Sequence, residues 1–287
     1  MSTQHIKTIQ AYIDKMPSLS TTVSKVLEVC NKPNVSPNDL NKVISFDPVL
    51  TGNVLKLINS SYYSLPNHIT SLTRAIIVLG INTVKNLSLT TAVLGSVKKS
   101  PQSGLSIDRF WTHSLCVGVT AKALAAQFNI PTKEREEFFL AGLLHDLGKI
   151  PMSKCFPAEY SQCLALCNDK NIPLREAEKI VFGFDHQLCG LTVAQKWNLS
   201  PNIVSVLKNH HTPEKAADEH KTLTLCVALA NLYANIFDMG TTDNYSTNEA
   251  DVLKLLEMSQ LSWNTISSSH EDIQEAIKKA SIFLQVE

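Results

Sequence analysis

Residues 19–30 read Leu19-Ser20-Thr21-Thr22-Val23-Ser24-Lys25-Val26-Leu27-Glu28-Val29-Cys30. Within them Leu19, Val23, Val26, Leu27 and Cys30 fall at i, i+4, i+7, i+8 and i+11, which is one stripe along an amphipathic helix. The same period continues outward in both directions. Ser36 followed by Pro37 is a helix start, the hydroxyl accepting from free amides and the proline standing where no N–H is needed; Leu40, Val43 and Ile44 give that helix its buried face. Asp47-Pro48 repeats the signal, with Val49, Leu50, Val54, Leu55, Leu57 and Ile58 facing inward until Asn59-Ser60-Ser61 ends the helix. After a loop holding Tyr62-Tyr63 and Pro66-Asn67, Leu72, Ile76, Ile77 and Leu79 mark a short helix closed by Gly80. Val84, Leu87 and Thr91 carry the next one toward Val97.

The polar stretch Lys98-Lys99-Ser100-Pro101-Gln102-Ser103-Gly104 reads as a linker and sets a subdomain boundary. Beyond it the spacing predicts helices over Ile107–Phe128, Lys133–Leu147 with Gly148 as its stop, Ala158–Asp169, Leu174–Phe182, His186–Trp197, Pro201–Asn209 and Lys221–Ile236. Two more are predicted over Thr247–Met258 and His270–Phe283, the latter with Ser268 and Glu271 in capping-box spacing. No segment alternates with period two. The predicted class is all-α, in two packed helical subdomains: a bundle over residues 1–103 and a second unit over 104–240, followed by C-terminal helices over 241–287.

At 287 residues the chain is long enough to bury a substantial core. Hydrophobic residues make up 44% and charged residues 18%, which excludes both a disordered chain and a membrane bundle. Lys plus Arg equals Asp plus Glu at 26 each, so no general electrostatic footprint for nucleic acid or an anionic membrane exists. The apolar runs at 75–81 and 138–144 are far short of the roughly 18 residues that span a bilayer. The opening MSTQHIKTIQAYIDK lacks the layout of a secretory signal, and the expectation is a cytoplasmic protein. The seven cysteines contain no CxxC pair and read as reduced core thiols.

Chemistry concentrates in the second half. His113, His145, His186, His210 and His211 lie on or beside apolar helices, and Asp146 sits inside Leu143-Leu144-His145-Asp146-Leu147-Gly148-Lys149. A carboxylate in so apolar a stretch, at a helix C-terminal end that disfavours anions, needs a cation or strong donors, and a metal ion is the simplest such cation. Each element has a plainer reading taken alone. His186 fits a hydrogen-bonded core residue, His210-His211 a solvated helix end, and Lys149 a cation at a helix C-terminus. Their occurrence together, in order, favours a site.

Taken together, WTHSL around His113, His145-Asp146-Leu147-Gly148-Lys149, DHQLCG around His186 and the NHH that ends at His211 resemble the successive motifs of the HD superfamily of metal-dependent phosphohydrolases. The first half adds Pro17-Ser18-Leu19, Asp47-Pro48, Asn59-Ser60 and the stretch from Ala75 to Gly80. With these the chain resembles, over roughly residues 10 to 235, the HDOD proteins, a bacterial signalling and regulatory class related to the HD-GYP phosphodiesterases. The resemblance implies that 104–240 is an HD-type bundle. It implies one metal ion on His113, His145 and Asp146, a second on His186, His210 and His211 with Asp146 bridging, and Asp146 and Lys149 as the catalytic pair, Lys149 facing a phosphate. Mixed imidazole and carboxylate ligands suit Fe, Mn, Zn or Ni, as one or two ions.

Three positions depart from the enzymes of that superfamily. Asn231 takes the place of the final Asp ligand, Arg109 stands where the HD-GYP enzymes have a Glu and is expected to repel a metal, and Thr212-Pro213-Glu214-Lys215 replaces the Gly-Tyr-Pro stretch. Two functional classes therefore stay open. One is a regulatory protein that acts by binding signalling partners or a small ligand, with a metal pocket and little or no catalysis. The other is a metal-dependent phosphohydrolase, acting on a nucleotide or cyclic dinucleotide. A purely structural helical protein is the third reading.

Overall fold

The helices start where polar caps stand before apolar faces. In a computed structural model describing residues 2–16, 18–97, 104–240 and 248–285, Ser20, Ser36, Asp47 and Ser71 each accept from a backbone amide three residues on and open α2 (Thr21–Cys30), α3 (Pro37–Ser45), α4 (Pro48–Ile58) and α5 (Leu72–Leu79). They follow α1 (Ser2–Lys15) and lead into α6 (Ile81–Ser96). The second half runs through α7 (Ile107–Leu124), α8 (Arg135–Leu144), α9 (Lys149–Cys155), α10 (Pro157–Lys170), α11 (Leu174–Phe182), α12 (His186–Lys196), α13 (Pro201–Asn209) and α14 (Asp218–Ile236). Beyond it lie α15 (Glu249–Ser259), α16 (Trp263–Ser267) and α17 (His270–Ala280). There is no strand among the described residues. Pro17, residues 98–103 of the expected linker, and Thr247 lie outside the described residues.

Several boundaries differ from the sequence expectation. The helix predicted over Lys133–Leu147 ends at Leu144, because residues 145–148 form a turn that swings the chain into α9. Gly148 has an ordinary right-handed φ of −66°, so it does not terminate a helix by its conformation. Its role is contact: a Cβ there would meet the His186 carbonyl oxygen at 1.9 Å and the Gly190 amide at 2.5 Å. At the C-terminal side, α17 is capped by Ser269 without a side-chain bond, so the Ser268–Glu271 capping box does not form. Three helices had no sequence expectation, α1, α9 and the short α16. α9 carries Pro151 in its first turn, and α1 is mostly polar, its buried face reduced to Ile9 and Ile13.

Packing centres on α7, which lies against α8 and α14. The α7–α8 crossing is close because both helices present glycine: a Cβ on Gly142 would stand 2.7 Å from the Cα of Gly118. Residues 18–97 and α1 pack on the second half at several places. α6 lies on α8, and α1 lies on α9 and α12, with the Lys196 ammonium donating to the Asp14 carbonyl at 2.9 Å and His5 edge-on to Phe156 and Phe182. A buried ion pair between Lys122 and Glu136 sits under Tyr62, with the ammonium 4.6 Å from the ring centre. Among the described residues no single helix is long and apolar enough to cross a membrane; the apolar pair α5 and α6 is bent by 118°.

Gly148→Ala is expected to destabilise the protein by about 1–3 kcal/mol or more through overpacking. Gly52→Ala, inside α4 with open space around it, is expected to stabilise by about 0.5–1 kcal/mol. Urea midpoints of the two variants check the pair.

Candidate metal centre

Six polar side chains from different parts of the second half converge on one buried carboxylate. Asp146 lies in the turn after α8 with 2% of its side chain exposed. Around it stand His113 from α7, His145 beside it in sequence, Lys149 at the first residue of α9, His186 at the first residue of α12, and His210 and His211 just past α13. The ligand atoms of Asp146, His186, His210 and His211 all lie within 4.8 Å of one another, and so do those of His113, His145 and Asp146. Asn231 reaches the same place from α14, its Oδ1 3.1 Å from His113 Nε2.

The imidazoles are oriented from behind. His145 Nδ1 is 2.7 Å from the Gly142 carbonyl, His210 Nδ1 is 2.9 Å from the Val206 carbonyl, and His186 Nδ1 is 2.6 Å from Glu178 Oε2. An oxygen at each Nδ1 favours a proton on that nitrogen, which leaves Nε2 as a lone pair while the ring is neutral. Those lone pairs face one another and Asp146. His186 Nε2 lies 3.3 Å from His210 Nε2 and 3.2 Å from His211 Nε2, while Asp146 Oδ1 is 3.2 Å from His186 Nε2 and 3.6 Å from His210 Nε2. Neither Asp146 Oδ1 nor His145 Nε2 makes a hydrogen bond. Electron pairs buried face to face are costly, and a proton or a metal cation between them relieves the cost. The donor set, imidazole with one carboxylate, fits a transition metal.

The electrostatics keep most of these rings neutral. Burial, then the neighbouring His145, pushes His113 down to about 3. His210 and His211 also lie well below the usual range, burial first and the adjacent imidazoles second. His186 moves the other way: burial opposes its charge, but the Glu178 carboxylate outweighs burial. Asp146 is held well below its usual value although burial resists, because His145 and Lys149 stabilise the anion.

Glu178 had no place in the sequence expectation, although the signal was present. It is fully buried on α11, four residues after Leu174 and four before Phe182, so a carboxylate stands on the apolar face of an amphipathic helix. Its Oε2 accepts from both the His186 backbone amide at 2.9 Å and the ring. Arg109 corrects an expectation: its guanidinium is more than half exposed and lies 4.0 Å from Asp238, outside the Asp146 cluster. Lys149 Nζ rests 2.6 Å from Asp146 Oδ2, and the residue also lines the cleft over the cluster. A cleft opens onto the cluster, and its walls include Arg175 and, from α15, Lys254. Lys254 also pairs at 2.8 Å with Glu214, in the segment that lacks Gly-Tyr-Pro.

The sequence profile of the HDOD domain matches residues 16–213, more than half of the chain. The chain belongs to the HDOD family. An HDOD domain protein of unknown function from Geobacter sulfurreducens has the same fold, with a TM-score of 0.74 at 24% identity, covering 97% of this chain and 98% of that one. A provisionally named phosphohydrolase from Shewanella amazonensis superposes with a TM-score of 0.70 at 22% identity, covering 95% and 98%. In sequence, an uncharacterized protein of Treponema pallidum is 26% identical over 226 residues, 79% of this chain but 43% of that protein. The chain thus spans less than half the length of that relative. Helix α14, which carries Asn231, and the three helices after it lie outside the matched region.

For the metal-free HDOD protein the depressed His113, His210 and His211 set an acid dependence. The unfolded chain takes up protons on these rings as pH falls through about 6.5, while the folded chain does not until far lower, near 3 for His113. Stability therefore falls with falling pH across that window, and the raised His186 offsets only part of it. Denaturant titrations of chelator-treated protein between pH 7.5 and 5, roughly spanning that imidazole range, are expected to show a steady decline, reduced in His210→Gln.

Proposed function

We propose that this HDOD chain is a regulatory protein of a bacterial signalling system, in which a metal centre at Asp146 shapes a pocket for protein or small-ligand binding and catalysis is slight or absent. The observation that carries the reading is the set of buried Nε2 lone pairs turned onto a carboxylate oxygen with no hydrogen bond. A metal cation suits those groups, and Glu178, Val206 and Gly142 hold the rings in that orientation. His113, His145, Asp146, His186, His210 and His211 would hold the metal, with Asn231 beside His113. A divalent ion so held supplies Lewis acidity toward a phosphoryl oxygen or a water molecule.

The chain's own groups favour binding over turnover. Asn231 brings a neutral oxygen in place of a carboxylate and engages His113 Nε2. The segment after His211 folds into a short 3-10 turn tied to α15 by the Glu214–Lys254 pair, and the resemblance to HD-GYP enzymes ends there. Arg175 and Lys254 put positive charge on the cleft wall, which suits an anionic small ligand such as a nucleotide. That same cleft favours the second reading, a metal-dependent phosphohydrolase acting on a nucleotide or cyclic dinucleotide, with Asp146 and Lys149 as the acting pair.

The two readings separate by experiment. Protein loaded with Mn2+ or Fe2+ is incubated with cyclic di-GMP and the linear product is followed; no turnover is expected. A rate approaching roughly 1 per second, the low end for ordinary enzymes, abolished by His145→Ala, would establish the phosphohydrolase. Glu178→Gln, which keeps the shape and removes the charge behind His186, is expected to weaken metal affinity by about 10–100-fold, measured by competition with a chromogenic chelator.

A further inference from the structure

The two oxygens of Asp146 do not have equivalent surroundings. Oδ1 faces His186 Nε2 at 3.2 Å and His210 Nε2 at 3.6 Å and accepts no hydrogen bond. Oδ2 faces His145 Nε2 at 3.2 Å and His113 Nε2 at 3.8 Å, and already holds the Lys149 ammonium at 2.6 Å. One oxygen lacks a cation and the other has one.

We propose that this chain binds a single metal ion, on Asp146 Oδ1, His186, His210 and His211, and that the Lys149 ammonium stands in for the second ion on the His113 side. This rests on the metal-centre reading above and specifies the number and place of the ions. The spacing supports the first half of the proposal. Four ligands at about 2.1 Å from a tetrahedral ion stand about 3.4 Å apart; four of the six separations in this quartet are 3.2, 3.2, 3.3 and 3.6 Å, and the other two are within 4.8 Å. Glu178 strengthens His186 as a donor from behind, as a carboxylate hydrogen-bonded to the far nitrogen of a ligating imidazole does.

On the other side His113 and Asp146 Oδ2 are already engaged, and only His145 Nε2 is left without a hydrogen bond among the described groups there. His113 has an oxygen at both ring nitrogens, the Met239 carbonyl at 3.3 Å from Nδ1 and Asn231 Oδ1 at 3.1 Å from Nε2. Asn231 contributes no charge, so a second dication would sit with half-shared Asp146 as its sole anion and an ammonium bonded to that same carboxylate. The Coulomb repulsion between such neighbours in a buried site is large. A lysine that meets the charge requirement of Oδ2 makes the second ion unnecessary.

The test uses the full chain, stripped with chelator, reloaded with Co2+ alone and freed of excess by gel filtration. Elemental analysis is expected to give one ion per chain in the unmodified protein and in His113→Ala, and none in His186→Ala. The double substitution Lys149→Met with Asn231→Asp, which frees Oδ2 and restores a carboxylate, is expected to raise the count from one to two. Far-UV circular dichroism identifies any variant that fails to fold, and the His113 and double variants then decide. Two ions in the unmodified protein, or an ion lost with His113→Ala and kept with His186→Ala, would overturn the single-ion assignment while leaving the metal centre intact. A double variant that folds and still holds one ion would overturn the role given to Lys149. No bound ion in the unmodified protein would overturn the metal-centre reading itself.

Discussion

The backbone of Gly148 lies against the backbone of His186 so closely that no side-chain carbon fits between them. That contact joins the turn after α8 to the start of α12, and the site depends on it. Two residues before Gly148 is Asp146, one residue after it is Lys149, and across the contact is His186 itself. The Gly118–Gly142 crossing does the same for α7 and α8, which brings His113 to the turn that carries His145. Interiors pack near the density of crystals and transmit small displacements, so a shift at either crossing would separate groups whose separations are now 3.2–3.8 Å.

Burying so many polar groups at one point is costly unless their charges and protons are arranged. The arrangement here keeps His113, His210 and His211 neutral through burial, and commits the Nδ1 protons of the outer rings to carbonyls or to Glu178. The one carboxylate at the centre remains anionic because His145 and Lys149 lie beside it. The pocket therefore presents donors of electrons and few donors of protons, which is the chemistry of a ligand set and not of a solvated polar cluster.

Much of this could be read from the chain before its folding was known. The helical period at Leu19–Cys30 and the Ser and Asp caps located the early helices because those signals are local. The histidines and Asp146 were legible because such residue types are out of place among apolar neighbours. What could not be read depends on contacts between distant segments. Arg109 is four residues from His113 in sequence, yet its guanidinium turns to Asp238. Gly148 looked like a helix stop, while its use is steric and involves a residue 38 positions later, at His186. Glu178 was visible as a charge on an apolar face, but its partner was not. The contact of Lys149 with Asp146 also depends on the turn, which folds the ammonium back onto the carboxylate.

The docking of α1 on α9 and α12 has a consequence for synthesis. Its buried residues Ile9 and Ile13 find their cover in segments that begin at Lys149 and His186. At ribosomal rates of about 5–20 residues per second, α1 is made roughly ten to thirty seconds before both partners have left the ribosome. During that interval its apolar strip has no native surface to rest on. A helix translated well ahead of its partners is thus among the last to dock, and the nascent chain must keep it from other partners until the histidine-bearing half has folded.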